Sequence, residues 1–401
     1  MIDAIDVFNY IMTVIMFGIS GTWIYFIKSM MCSFALTPHL DRFEIKDTNN
    51  PKVSIILPAR NEEEFIGKCL DTLIDQDYEN YEIIVIDDSS DDNTGKIISE
   101  YAKKSSKIIQ VTARPKPEGW MGKNWACMEG YHKSTGELLL FTDADTKHKK
   151  NIVSLAVSHL LSFNLDALSV IPKMISFDFW TKITLPMISV FLHTRFSAIN
   201  VNNPKKKTGY FFGSFFIIKK KTYKEVGMHE GVKHEIIEDG ALGKKVKDRG
   251  YKMKLVRGEH LVEAVWARDK TTLWNALKRL MIPLYLQSNK IAIGSFFAVL
   301  FLLFIPFPTL AYSALFTESF SFLLLFFSAG LASILIYIGA IIEVKKALFL
   351  RVRYAVFAPI GSLVVILGFL SGLLQAKSTS AVSWRGRSYS MKDHAQNSIN
   401  I

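Results

Sequence analysis

Apolar positions follow two different rhythms along this chain. Ile5 to Ile27 is a continuous apolar stretch with Asp6 as its only charge, about the 20 residues that a helix needs to cross hydrocarbon. From Lys52 to about Arg279 short apolar runs alternate with amphipathic stretches. That alternation predicts an α/β domain on a mainly parallel sheet, with strands at 53–57, 81–86 and 138–142 and helices at 65–75 and 91–103. After Gln287 the long apolar segments return, at Ile291 to Phe316, Phe320 to Ile342 and Tyr354 to Leu374, each long enough to span a bilayer. The predicted organisation is a membrane anchor over 1–30, an α/β domain over 52–287, a bundle of about three membrane helices over 288–376 and a basic tail over 377–401. Phe177 to Ile199 mixes Phe179, Trp180 and Phe191 with Lys182, His193 and Arg195. It suits either a helix lying in the membrane interface or a core helix of the α/β domain.

Charge adds orientation. A formal net charge of +11 over 401 residues suits nucleic acid, an anionic membrane surface or a phosphorylated substrate. The long apolar segments favour the membrane, and nothing resembles a zinc finger or a basic region with heptads, so nucleic acid is not an expected partner. Asp3 and Asp6 lead into the first apolar stretch and Lys28 follows it, which predicts an outside N-terminus and a cytoplasmic α/β domain in a multi-pass protein of the cell membrane. Lys345, Lys346, Arg351 and Arg353 between the last two segments belong on the cytoplasmic face by the same rule. Cys32, Cys69 and Cys127 have no metal-ligand spacing, and an odd count argues against a disulfide framework. His229, His234 and His260 likewise form no metal-ligand pattern.

The chemistry sits at the predicted strand ends, where ligands bind in open α/β sheets. The first strand runs into Pro58-Ala59-Arg60-Asn61-Glu62-Glu63, and no G-x-G-x-x-G loop is present to hold a dinucleotide. The second runs into Asp87-Asp88-Ser89-Ser90-Asp91-Asp92. There Asp87 and Asp88 are the candidate contacts to base or ribose, while Ser90 and Asp91 read as helix caps. The third ends in Asp143-Ala144-Asp145. Residues i and i+2 of an extended chain point the same way, so two carboxylates face one spot that suits Mg2+ or Mn2+ with water and phosphate as further ligands. Between the second and third lies Gly119-Trp120-Met121-Gly122-Lys123, a glycine-flanked lysine opening a helix, which suits an anion; the alternative is a turn with a solvated lysine.

Taken in order, these three acidic strand ends resemble the family 2 glycosyltransferases of the GT-A fold, over roughly Lys52 to Arg257. The resemblance implies that Pro58, Arg60, Glu62, Asp87 and Asp88 bind the nucleotide of a nucleotide-diphosphate sugar, a UDP-sugar being favoured over a GDP-sugar. It implies that Asp143 and Asp145 bind the metal on the diphosphate, with Lys123 beside it. Glu238-Asp239 sits where the family's Glu-Asp pair is expected, so Asp239 takes the role of base and Glu238 that of a donor-site neighbour. The Gly-Trp-x-Gly-Lys segment and the tail Trp384-Arg385-Gly386-Arg387-Ser388-Tyr389 are similar to segments of members that glycosylate carotenoid or hopanoid-like lipids. The Q-x-x-R-W motif of processive members is replaced by Trp274-Asn275-Ala276-Leu277-Lys278-Arg279, which favours one sugar added to a membrane lipid acceptor by an inverting displacement. A polyprenyl-phosphate glycosyltransferase and a catalytically inactive membrane interaction module remain as alternatives.

The tail is expected on the cytoplasmic side, with Arg385 and Arg387 near the donor diphosphate. A plain count of crossings from an outside N-terminus opposes this. Basic residues after the last apolar segment favour it, and Pro306 and Pro308 interrupt the segment after the α/β domain, so that piece is able to dip without crossing.

Overall fold

The computed structural model describes residues 3–43, 50–316, 319–378, 381–384 and 387–390. In chain order, α1 (Ala4–Leu36) leads to β1 (Val53–Ala59), α2 (Ile66–Ile74), β2 (Tyr81–Asp87), α3 (Thr94–Lys104), β3 (Ile108–Thr112), α4 (Gly122–Lys133), β4 (Leu138–Phe141) and β5 (Thr146–His148). Then come α5 (Ile152–Ser162), β6 (Ala167–Ile171), β7 (Lys173–Ser176), α6 (Phe179–Arg195), α7 (Ala198–Asn202), β8 (Phe216–Lys219), α8 (Lys220–Glu225), α9 (Glu238–Asp248), β9 (Met253–Arg257) and β10 (Val262–Ala267). The last described elements are α10 (Lys270–Gln287), α11 (Asn289–Leu303), α12 (Pro306–Ala314), α13 (Phe320–Ile342), α14 (Ala358–Ser378), β11 (Ala381–Trp384) and β12 (Arg387–Ser390).

These elements form two compact units. One holds Leu36–Ile175, Ala198–Trp266 and Val382–Ile401; the other holds Met1–Ala35, Ser176–Ser197 and Ala267–Ala381. The division differs from the sequence boundaries at two places. Helices α6 and α10 group with the helical unit, because α14 lies directly against both: a Cβ on Gly361 would meet Ile183 O at 2.1 Å, and one on Gly372 would meet Lys278 O at 2.7 Å. Small residues let helix backbones approach this closely.

The α/β unit is built on a seven-stranded sheet in the order β3-β2-β1-β4-β8-β6-β9. Its strands read as nearly continuous apolar runs because both faces are covered. Ile55, Leu57, Ile83, Val85, Leu138 and Leu140 pack with Ile66, Leu70, Leu73 and Val153 in one buried core. Their neighbours Ile56 and Ile86 face the other way, where a Cβ on Gly130 of α4 would meet them at 2.7 and 2.6 Å. The sheet is mixed rather than simply parallel, since β8 runs antiparallel to both β4 and β6. Parallel register sets Ala59 opposite Asp87 and Ile56 opposite Phe141, so the acidic segments after β1, β2 and β4 emerge along one edge.

In the helical unit, three stretches are long and apolar enough to cross a membrane: Ala4–Leu36, Phe320–Ala347 and Val352–Lys377. The sequence predicted one further span over 291–316; the structure divides it into α11 and α12, bent by 48°, a pair that forms either one broken span or a re-entrant loop. Pro306 is the cause, having no N–H and clashing with the carbonyl four residues back. That carbonyl, on Leu302, accepts instead from Trp23 Nε1 at 2.8 Å. Trp23 is also packed against Gly339, where a Cβ would lie 2.2 Å from its ring.

Candidate active site

The loops after β1 and β2 are knotted together before any ligand is considered. Arg60 sends one guanidinium nitrogen to Asp88 O at 2.7 Å and to Ser89 O, and another to Asp91 Oδ2 at 3.0 Å. Asn61 and Ser89 hold left-handed backbone, at φ 53° and 56°, a region costly for a non-glycine residue and common at functional loops. Asn61 Oδ1 accepts from Asp91 N, and Thr94 Oγ1 accepts from the N–H of buried Glu62. Asp87 Oδ1 accepts from both N and Oγ of Ser90, and a Cβ on Gly95 would lie 2.7 Å from its other oxygen. In this structure Arg60, Glu62 and Asp87 therefore shape the edge of the site, while Pro58 stays within β1 opposite Ile86.

Asp88 is different. Its carboxylate is bonded by Arg387 Nη1, and its carbonyl accepts from Arg387 Nη2 at 3.2 Å. Burial pushes the Asp88 carboxyl above its ordinary value, against the pull of Arg387 and Arg60. Tyr389, on the same strand β12, is buried, and its hydroxyl takes the N–H of Gly122 at the start of α4, one of the donors a helix N-terminus leaves unsatisfied. A Cβ on Gly122 would strike Tyr389 Oη at 2.7 Å and Asp88 Oδ2 at 2.9 Å. Arg385 and Gly386 lie outside the described residues.

The glycine-flanked lysine is neither solvated nor loose. Lys123 Nζ stands 2.7 Å from Asp143 Oδ1 and 2.6 Å from Glu238 Oε1. Burial opposes its charge, but the carboxylates of Asp143, Glu238 and Asp239 raise it well above the ordinary lysine value. Asp239 Oδ2 accepts from Gly213 N at 2.7 Å and Oδ1 from Gly240 N at 2.8 Å. Burial, then repulsion from Glu238, raises its carboxyl to about 7 against the pull of Lys123, a value suited to a base working near neutral pH.

Three of these side chains converge on Gly213, and Glu238 joins them through Lys123. A Cβ there would lie 2.8 Å from Asp239 Oδ2, 3.1 Å from Lys123 Nζ and 3.2 Å from Asp143 Oδ2. The sequence reading missed Gly213, although a glycine just before a buried strand marks a close approach. It also missed Asn124, whose amide donates to Val232 O at 2.7 Å and Glu235 O at 3.1 Å, tying the lysine loop to the segment leading into Glu238. Met121 N and His234 Nδ1 strengthen the tie through Lys233 O and Gly119 O. Behind the acidic pair, Thr142 Oγ1 donates to Ser214 O at 2.8 Å. His148, kept neutral by burial with its value lowered to about 4, sits 3.0 Å from the same hydroxyl. Asp143 and Asp145, both partly exposed, are the hard oxygen donors that Mg2+ or Mn2+ takes, so the residues present fit such an ion.

Residues 54–227 match the family model described as Glycosyl transferase family 2. They are a family 2 glycosyltransferase domain. Asp143 and Asp145 lie within the match; Glu238 and Asp239 lie beyond its end. Over 114 residues the chain is 36% identical to the probable glycosyltransferase YdaM of Bacillus subtilis, covering 28% of this chain and 27% of that protein. Over 219 residues it is 26% identical to a 4,4'-diaponeurosporenoate glycosyltransferase of Staphylococcus aureus, covering 54% and 57%. Over 194 residues it is 27% identical to one of Staphylococcus haemolyticus, covering 48% and 50%. The chain thus spans between about a quarter and little more than half the length of these relatives. The mannosyltransferase PcManGT from Pyrobaculum calidifontis, solved with GDP-Man and Mn2+, superposes with a TM-score of 0.54 at 16% identity, over 92% of this chain and 98% of that one. The likeness is one of fold, and the glycosyltransferase domain has the mixed α/β sheet of the GT-A class.

Proposed function

We propose that the chain is a membrane-embedded, inverting glycosyltransferase that moves one sugar from a nucleotide-diphosphate donor, a UDP-sugar, to an apolar membrane lipid. The observation that carries this reading is the convergence of Lys123, Asp143 and Asp239 on Gly213, with Glu238 bonded to Lys123, in a family 2 domain whose chain also has helices long enough to span a bilayer. Asp239 would take the proton of an acceptor hydroxyl as that oxygen attacks the anomeric carbon, and the bond from that carbon to the diphosphate breaks. Lys123, held charged by its carboxylates, would stabilise the leaving oxygens electrostatically. A divalent ion held by Asp143 and Asp145 would supply further positive charge for the departing diphosphate.

Arg387 and Asp88 would form the nucleotide end of the site, with the guanidinium fork offered to phosphate. Their contact also supports a shared side for the tail and the α/β unit, taken as cytoplasmic from the flanking charges. On that reading α13 and α14 are one exit and one return, and the bent pair α11–α12 enters and leaves on one face. Relatives named as acting on 4,4'-diaponeurosporenoate support an apolar acceptor.

The test is sugar transfer from labelled donors to extracted membrane lipids by the detergent-purified chain, with products read by mass spectrometry. A single sugar on a lipid, lost in chelator and reduced by about 10²-fold or more in Asp145→Asn, is the expected result. Full activity of Asp145→Asn in chelator would remove the metal role. Growth of a sugar polymer, or transfer only to a polyprenyl phosphate, would replace the acceptor assignment.

A further inference from the structure

The segment that precedes β1 does more than connect. His39 forms an isolated parallel bridge with Arg257 at the end of β9, the edge strand of the large sheet, and Arg257 N donates to Pro38 O at 3.0 Å. This brings His39 and Asp41 to the turn between β9 and β10, where His260 stands. His260 Nε2 lies 2.8 Å from Asp41 Oδ2, across 219 residues of chain, and the rings of His39 and His260 meet edge-on with centroids 5.2 Å apart. One ligand atom from each of His39, Asp41 and His260 falls within 4.8 Å of the others.

A second observation points the same way. Glu259 is only 3% exposed. Its Oε1 takes Arg257 Nε at 2.8 Å, whereas its buried Oε2 has no hydrogen-bond partner among the described residues. It faces His39 Nδ1 at 3.6 Å, and that nitrogen is also buried without a hydrogen bond. Leaving a buried carboxylate oxygen unbonded is costly. Metal-binding histidines typically give their other ring N–H to a carboxylate, which fixes the tautomer and turns the free nitrogen to the ion. Glu259 stands behind His39 in the place of that partner, 3.6 Å away, a gap that a small shift on coordination would close.

We infer that His39, Asp41 and His260 form a binding site for a zinc-class divalent cation, with Glu259 orienting His39, separate from the Asp143–Asp145 pair. Two imidazoles with one carboxylate select zinc-like ions over magnesium or calcium, and three protein ligands leave a position for water. Asp41 and His260 are exposed, so an ion enters directly from solvent. Its effect would be structural: it clamps residues 37–42 onto the sheet edge at β9, and such binding adds to folding stability. The ligands lie 219 residues apart, which is why no local spacing revealed them.

The experiment uses untagged, full-length protein in detergent, stripped with chelator and dialysed. Zn2+ alone is titrated against a chromophoric competitor, with Co2+ absorption as a second readout. Wild type should bind one Zn2+ that raises its melting temperature, and Co2+ should develop visible bands of imidazole coordination. His39→Gln/His260→Gln should lose that ion and those bands, Glu259→Gln should bind about 10-fold more weakly, and Asp145→Asn should bind Zn2+ as wild type does. Should the double variant fail to fold, exposed Asp41→Asn provides the same comparison. Equal Zn2+ binding in wild type and the ligand variants, or its loss in Asp145→Asn alone, overturns the assignment.

Discussion

The two units treat polar and apolar groups in opposite ways. Among the described residues of the α/β unit, the large apolar side chains that stand exposed are Leu36 and Phe163, whereas the helical unit exposes Ile11, Val14, Phe17, Tyr25, Leu315, Phe327, Ile334 and Leu374, among others. Charge is arranged the other way round. The α/β unit gathers Asp143, Glu238 and Asp239 about Lys123, at a cost in desolvation that only paired charge and hydrogen bonds offset. The helical unit holds its buried carboxylate, Glu343, with Ser189 Oγ at 2.6 Å and His193 Nδ1 at 2.9 Å. Water and lipid would call for these opposite arrangements: a domain in water hides apolar surface, and a bilayer rewards showing it.

The largest effect that would sharpen this contrast is at the carboxyl the α/β unit perturbs most. Asp239→Asn should lower turnover by about 10²–10⁴-fold with donor affinity nearly intact. In wild type the rate should rise with pH through about 7, since a raised carboxyl becomes an active base only once it loses its proton. An equal loss of nucleotide affinity would make Asp239 a binding residue and pass the base role to Glu238.

Next is a charge placed on each surface in turn. Ile334, 58% exposed on α13, should meet lipid, so Ile334→Lys should cost about 2.5–3.5 kcal/mol in a membrane-insertion assay. The same lysine at exposed Thr112 on edge strand β3 should change stability by less than about 0.5 kcal/mol. Equal tolerance at both positions would end the comparison, for it would mean that α13 faces water.

Glu82 gives a smaller and purely structural effect. Burial pushes its carboxyl up, but Lys52, Ser54 and Thr135 bring it down to about 2. A depressed carboxyl stabilises the fold above its unfolded value of about 4.3 and loses that contribution as pH falls toward 2. Glu82→Gln should therefore be less stable than wild type by about 2 kcal/mol at neutral pH, with the gap closing below about pH 3 in thermal melts. A gap independent of pH would assign the loss to packing.

The smallest effect is at the tail. Arg387→Ala should raise the donor KM by about tenfold, the factor that about 1.4 kcal/mol carries. A lower melting temperature with unchanged KM would make Arg387 a strut for Asp88 rather than a donor contact.

Sequence showed most clearly what is local. The strand ends at Ala59, Asp87 and Phe141 were legible to within two residues because continuous apolar runs stop at clusters of acid, and α13 was legible to the residue because no charge interrupts it. Long-range consequences were not. Strand β8 follows an aromatic loop and precedes a lysine run, and nothing in its four residues signals that it enters the sheet against its neighbours. Gly213 looked like any loop glycine, since its role depends on three side chains from distant segments. The break at Pro306 was visible as a proline, but the Trp23 indole that takes the released carbonyl lies 279 residues from it.

The bond between Arg387 and Asp88 has a consequence for how the protein is made. The two residues are 299 positions apart, so at about 5–20 residues per second a ribosome needs roughly 15–60 s after making Asp88 to supply its partner. Once Arg257 is made the sheet and α4 are complete, yet until the tail follows, Gly122 N–H and the Asp88 carboxylate have neither Tyr389 nor Arg387 to meet them. A chain cut short after α14 would still carry every apolar helix and every acidic strand end, but would leave the biosynthetic machinery without the last fastening of that corner. Strand β12 thus fastens that corner only late in synthesis.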